Sequence, residues 1–210
     1  FQASGVFNNL AANTYQIVVG DVNGCTQTTS VTITQPTAIL VPSTISTNIP
    51  CNGGTSGSIT ITANGGVAPL QYSINNGTTF QLSSSFNNLT ANTYQIVIQD
   101  ANGCTRTNTV TISQPTPIVI NSTPVVDVLC NGATIGSLTI NANGGVAPLQ
   151  YSINNGTTYL AANTYNNLAA GSYQVVVKDA NGCTLATNVT ITQPTPVVIN
   201  TVNSNPVICN

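Results

Sequence analysis

Apolar and polar residues alternate along most of the chain. Ile59, Ile61 and Ala63 are separated by Thr60 and Thr62, and Leu70, Tyr72 and Ile74 by Gln71 and Ser73. Tyr94, Ile96 and Ile98 alternate with Gln95, Val97 and Gln99, and Val110 and Ile112 with Thr109 and Thr111. A period of two predicts strands with one buried and one wet face. No stretch carries the 3.6-residue period and caps of a helix. Between the apolar runs stand Asn76-Gly77, Asn102-Gly103, Asn155-Gly156 and Asn181-Gly182. Asn-Gly is the strongest short hairpin signal, because both residues accept positive φ. Gly65-Gly66 and Gly144-Gly145 mark a further corner.

The whole pattern returns 79 residues later. Leu138 and Ile140, then Leu149, Tyr151 and Ile153, then Tyr173, Val175 and Val177, then Val189 and Ile191 repeat the four sets above. The segment ANGGVAPLQYSINNGTT at 63–79 recurs without change at 142–158. A fixed period is the signature of an array of like modules. It predicts one module over 42–120 and another over 121–199, with 1–41 the C-terminal part of an earlier copy and 200–210 the start of a later one. Phe1 aligns with Phe80, so both ends read as cuts through a longer polypeptide. The joints are ITQPTAI at 33–39, ISQPTPI at 112–118 and ITQPTPV at 191–197. Their prolines fix an extended backbone and end strand pairing, which predicts short, semi-rigid connectors. About seven short strands per module, joined by tight turns, predict an all-β fold: tandem immunoglobulin-like antiparallel β-sandwich repeats. Tyr94 stands five residues after Leu89 at the entrance to a late strand, a position that suits a tyrosine corner; Tyr15 and Tyr173 recur there. An ordinary core tyrosine is the alternative.

Composition narrows the function. The only charged side chains are Asp21, Asp100, Asp127, Asp179, Arg106 and Lys178, for a net charge of −2. Neither nucleic acid nor an anionic membrane is an evident partner. No apolar run approaches the ~18 residues of a membrane span. The surface is mostly Thr, Asn, Ser and Gln, which repels like copies poorly and eases lateral self-association. With no His and no Glu, a hydroxyl nucleophile has no activating base, so no catalytic residues and no cofactor are assigned.

The six cysteines also keep the period: Cys25, Cys104 and Cys183 form one series, Cys51, Cys130 and Cys209 the other. With no CxxC pair and no His, zinc is a poor reading, and disulfides in an oxidising compartment are expected. Pairing within a module gives Cys51–Cys104 and Cys130–Cys183. Pairing across a joint gives Cys25–Cys51, Cys104–Cys130 and Cys183–Cys209. A simple sandwich separates the within-module partners by roughly 20–25 Å, at ~3.3 Å per strand residue, against the ~7 Å that a disulfide tolerates between Cα atoms. Either the first strand is displaced or a bridge joins neighbouring modules. Prevalence favours the within-module pairing.

Each full copy reads C-N-G-x-x-x-G, then G-G-V-A-P-L-Q-Y-S-I, L-x-A-x-x-Y-Q, D-A-N-G-C-T and Q-P-T-P, starting at Cys51, Gly65, Leu89, Asp100 and Gln114. This set resembles the SprB repeat of very large cell-surface adhesins of gliding Bacteroidetes. The resemblance implies a secreted, surface-displayed stalk or filament, exported by the type IX system. It departs from the family where PLQYSI replaces an aromatic-rich PYxYxW.

The Asp-x-Asn-Gly-Cys loops at Asp21, Asp100 and Asp179 each offer one carboxylate. Calcium wants six to eight oxygens, so these read as structural turns with Asp bonding backbone amides, and no metal ligands are assigned. The sequons at Asn76, Asn88, Asn121, Asn155 and Asn188 read as plain polar loop residues. The resulting expectation is an extracellular adhesive stalk whose partners are neighbouring repeats of the same chain. A self-assembling filament and a carbohydrate- or ice-binding module using flat Thr/Asn faces are the alternatives.

Overall fold

The computed structural model describes residues 1–204; Cys209 and the last part of the expected 200–210 segment lie outside them. Every regular element among the described residues is a strand. The strands are β1 (Asn13–Gly20), β2 (Thr26–Ile33), β3 (Leu40–Thr47), β4 (Gly57–Asn64), β5 (Gln71–Ser73), β6 (Ser85–Leu89), β7 (Asn92–Gln99) and β8 (Thr105–Ile112). They continue with β9 (Val119–Ser122), β10 (Val125–Val126), β11 (Gly136–Thr139), β12 (Asn141–Asn143), β13 (Gln150–Ser152), β14 (Thr164–Leu168), β15 (Gly171–Lys178) and β16 (Thr184–Ile191).

The chain divides into two compact units. One comprises Phe1–Ser46, Ile59–Phe86 and Thr93–Thr111; the other comprises Thr47–Ser58, Asn87–Asn92 and everything from Ile112 onward.

The second unit contains β9 to β16 entire. Its sheets run β10-β11-β14, β12-β9 and β13-β15-β16. β9 with β10, and β11 with β12, are halves of two strands; the latter pair is interrupted at Ile140, whose N–H donates to the Asn163 carbonyl at 2.8 Å. In immunoglobulin terms these are strands A, B and E facing C, F and G, which makes the unit an Ig-like sandwich. Its core is Leu138, Ile140, Val175, Val177, Val189 and Ile191, with Val128 beside them. The alternation anticipated these positions because β15 is the middle strand of its sheet, and its inward side chains have neighbours on both sides.

Residues 40–112 repeat the order as β3-β4-β6 and β5-β7-β8. Ile59, Ile61, Ile96 and Ile98 are buried in the first unit as Leu138, Ile140, Val175 and Val177 are in the second. Each repeat shows six strands rather than about seven. The stretch where a D strand would lie bonds instead to the edge of β5: Tyr72 N–H donates to the Gln81 carbonyl at 2.8 Å, and Gln81 N–H returns to Tyr72 at 2.9 Å.

The alternation misassigned faces on two strands of each repeat. Val97, set outward on β7, is buried, as is its counterpart Val176 in β15. The short strands β5 and β13 are the second case. Ser73 and Ser152 are fully buried although the period puts them outside. Each serine Oγ donates to the side-chain oxygen of Asn75 or Asn154 at 2.8 Å and accepts from the Gly77 or Gly156 amide at 3.0 Å. The strand is three residues long, and its last residue already serves the following Asn-Gly turn. That burial is satisfied: among the described residues no buried side-chain nitrogen or oxygen lacks a partner.

The hairpin β1–β2 has the register of β15–β16, with Tyr15 opposite Val31 as Tyr173 is opposite Val189. It forms a two-stranded sheet. Val19 is 66% exposed, whereas its counterpart Val177 is fully buried. A bare hairpin is marginal in water. Backbone amides of 13–33 are therefore expected to exchange with deuterium at least ~100-fold faster than those of β15–β16. Equal protection in hydrogen-exchange mass spectrometry would contradict this.

Candidate functional site: a cysteine-tied joint

Four segments of the second unit meet at the linker. They are the turn 50–54, the linker 113–118, the loop 144–148 and the loop 179–185, and a groove is lined by residues of all four.

The loop 179–185 is built by its aspartate. Asp179 Oδ1 accepts from the Asn181 and Cys183 amides at 2.9 Å each, and Oδ2 accepts from Val146 N–H at 3.0 Å. Gly182 N–H donates to the Asp179 carbonyl at 3.0 Å, and Gly182 has φ +84°. This is a three-residue hairpin loop, a type I turn followed by glycine in the left-handed region. Positive φ therefore falls on Gly182 but not Asn181. At Asn155-Gly156 both residues are positive, with φ 56° and 75°. The two Asn-Gly signals thus make different turns, because only one has an aspartate three residues before its glycine.

The same loop occurs in the first unit. Asp100 accepts from Asn102 and Cys104 amides at 2.9 Å and from Val67 at 3.0 Å. The Val67 amide, above all, holds the Asp100 carboxyl below the ordinary 3.8, against the raising effect of burial, with the Cys104 and Asn102 amides adding to the lowering. A depressed carboxyl contributes stability that is full above the unfolded value and is lost as pH falls through the folded one. The amides of Val67, Asn102 and Cys104 are expected to lose protection together only below about pH 3.8. An NMR titration showing that loss at pH 5–6 would refute the assignment. Asp21 makes the corresponding bonds to Asn23 at 3.0 Å and Cys25 at 2.8 Å. In each loop the carboxylate is turned onto backbone donors.

The linker is clamped as well. Gly53 N–H donates to Gln114 Oε1 at 2.8 Å, and Asn52 Nδ2 donates to the Pro115 carbonyl at 3.0 Å. Ser113 N–H donates to Asn48 Oδ1 at 2.9 Å, and Ile49 N–H to the Ser113 carbonyl at 2.9 Å. On its far side, Gly145 N–H donates to the Thr116 carbonyl at 3.0 Å, and Ala180 N–H to Val146 at 2.9 Å. The Gln-Pro-Thr-Pro connector is thus bonded at both ends.

Cys51 and Cys183 are bridged, with Cα atoms 5.6 Å apart and 132 residues between them in sequence. Asn181 Nδ2 donates to the Pro50 carbonyl at 2.8 Å beside the bridge. This corrects the expected connectivity. Neither Cys51–Cys104 nor Cys130–Cys183 forms, nor do the pairs Cys25–Cys51, Cys104–Cys130 and Cys183–Cys209; the bridge joins neighbouring modules by another pair, and Cys25, Cys104 and Cys130 are free and exposed. The reason lies in the linker. The Cys51 turn is bonded to Gln114 and Pro115, and the next residues, Thr116 to Ile118, lead to the loop that carries Cys183. The turn therefore sits beside the cysteine of the following copy. Cys209 lies outside the described residues.

The tyrosines tie down turns. Tyr15 and Tyr173 hydroxyls donate to the Ala11 and Ala169 carbonyls at 2.9 Å, four residues upstream. Tyr94 holds the same place in β7. Sequence reasoning missed one further contact, Lys178 Nζ lying 3.9 Å from the Tyr159 ring centre.

Among the described residues no group of three or more Cys, Asp, Glu or His is placed to hold a metal. Among the described residues no helix is long and apolar enough to cross a membrane.

No curated protein matches the chain. Solved structures resemble it weakly. The N-terminal eight Ig domains of Down Syndrome Cell Adhesion Molecule align with 90% of this chain at 14% identity and TM-score 0.47. A C-terminal fragment of intimin, in complex with the intimin-binding domain of its translocated receptor, aligns with 72% at 9% identity and TM-score 0.40. Surface layer protein SbsC, domains 1–6, aligns with 94% at 14% identity and TM-score 0.33. The chain spans 29%, 64% and 37% of those chains. At such scores they carry no weight beyond the likeness, and the Ig-like assignment rests on strand order. The sequence model described as SprB repeat matches residues 43–79 and 122–158, from the first strand of each copy to the Asn-Gly turn. The chain thus carries two matches to the SprB repeat, and their starting points are one 79-residue period apart.

Proposed function

We propose that the chain is a segment of a long, secreted cell-surface adhesin, in which Ig-like repeats over 42–120 and 121–199 are strung into an extended stalk. The observation that carries this is the joint: a linker hydrogen-bonded on both sides and a disulfide between consecutive copies. A chain meant only to tether would do better with a loose Gly/Ser spacer. Clamped joints supply reach, and repeated surfaces supply avidity through effective concentration. The SprB matches favour outer-surface display, export by the type IX route and a part in gliding. The ligand is read as a surface or glycan gripped by many weak contacts.

Electron microscopy of a many-repeat version tests the reading. Stiff threads one module wide are expected. Thick ordered fibres would favour the self-assembling filament, and flexible beads on a string would defeat the stalk.

A further inference from the structure

The groove beside Cys183 has a counterpart in the first unit. Gln35 to Ile39, Asp100 and Cys104 to Arg106 line it. Its walls are bonded alike: Gly66 N–H donates to the Thr37 carbonyl at 2.9 Å, Ala101 N–H to Val67 at 2.9 Å, and Val67 N–H to Asp100 Oδ2 at 3.0 Å. Around Cys183 the groove is capped by Cys51 and Asn52. Around Cys104 no such turn lines it, and the thiol is free and exposed.

The complementary half is also present. Turn 130–132 reads Cys-Asn-Gly like turn 51–53. It is held the same way, with Asn131 Nδ2 donating to the Pro194 carbonyl at 3.0 Å and Gly132 N–H to Gln193 Oε1 at 2.8 Å. Cys130 is free and exposed.

We infer that the groove at Cys104 is a docking and cross-linking site for the Cys-Asn-Gly turn of a preceding copy of this repeat, and that Cys130 is the matching half for a following copy. In a tandem array every such turn then bridges the Asp-x-Asn-Gly-Cys loop of the next repeat, 132 residues on as Cys51 and Cys183 are. The result is a ladder with one disulfide per joint and none within a repeat. Each rung forms by thiol–disulfide exchange. Two thiols lose two protons and two electrons and become one disulfide, while a disulfide of the oxidant is reduced to two thiols. The inference needs only tandem copies and stands whether or not the chain is adhesive.

The test is a chain with a second copy of residues 42–120 inserted after Val41, folded with glutathione disulfide and mapped without reduction. The expected result is a peptide joining Cys51 of the inserted copy to Cys104 of the original one. Among the described residues of the parent chain Cys25, Cys104 and Cys130 are free. The inserted copy adds two cysteines and one bridge, so the number of titrating thiols should equal that of the parent chain. Cys104→Ser in the original copy of the extended chain should raise that number by one, because its partner is freed. A fall by one would show that Cys104 had no partner and would overturn the proposal. So would recovery of the inserted copy's Cys51 linked to its own Cys104.

Discussion

Replacing Cys51 by Ser should lower the stability of the second unit by roughly 3–5 kcal/mol. The bridge closes a span of 132 residues, and in the chain-entropy picture a closed loop of that order restrains the unfolded chain by nearly 5 kcal/mol. The Asn52, Gly53 and Asn181 bonds survive the substitution, so the joint should still assemble before it melts. Calorimetry should show a melting point lower by about 10 °C. Adding reductant to the parent chain should produce the same shift, and adding it to Cys51→Ser should produce none. Were the parent chain indifferent to reductant, the bridge would not be restraining the joint.

Gly144→Ala should be the most disruptive single methyl in the fold. Gly144 has φ +77°, and a Cβ there would overlap the Pro117 carbonyl in the linker. A left-handed alanine costs about 1–3 kcal/mol, and forcing backbone apart adds about 1–3 kcal/mol. Two other glycines separate the terms. Gly182, at φ +84°, has nothing within 4 Å of its Cβ position, so Gly182→Ala should cost about 1–2 kcal/mol through φ alone. Gly171 also has open space and carries no positive φ, so its alanine variant should be near neutral. Urea unfolding should rank the three Gly144 > Gly182 > Gly171. A Gly144→Ala variant no worse than Gly182→Ala would mean that the linker does not press on that loop.

These variants follow how much of the molecule its sequence discloses. Ile59, Ile61, Ile96 and Ile98 are legible as core because each sits on a strand long enough for the period of two to register. The Asp100 and Asp179 loops are legible because an aspartate with three amides in reach needs only local geometry. Ser73 and Ser152 are not, since three residues of strand cannot show a period and their burial is decided by the turn that follows. The glycine pair at 144–145 announces a corner, but which chain presses on it is not a local property. The 37-residue family match ends at the Asn-Gly turn, while the fold runs on to residue 112 in one copy and 191 in the next.

The sequence by itself determined the period, the strands, the turns and the six-cysteine composition, because alternation and turn chemistry act between residues close along the chain. Only the tertiary structure decided which cysteine meets which. Two positions identical in every copy cannot be told apart by spacing. The choice fell to the linker, whose bonds to Gly53 on one side and Gly145 on the other bring the Cys51 turn to the Cys183 loop. Disulfide pairing is a statement about distance in space, and here that distance is set by a short run of proline and threonine with no cysteine in it.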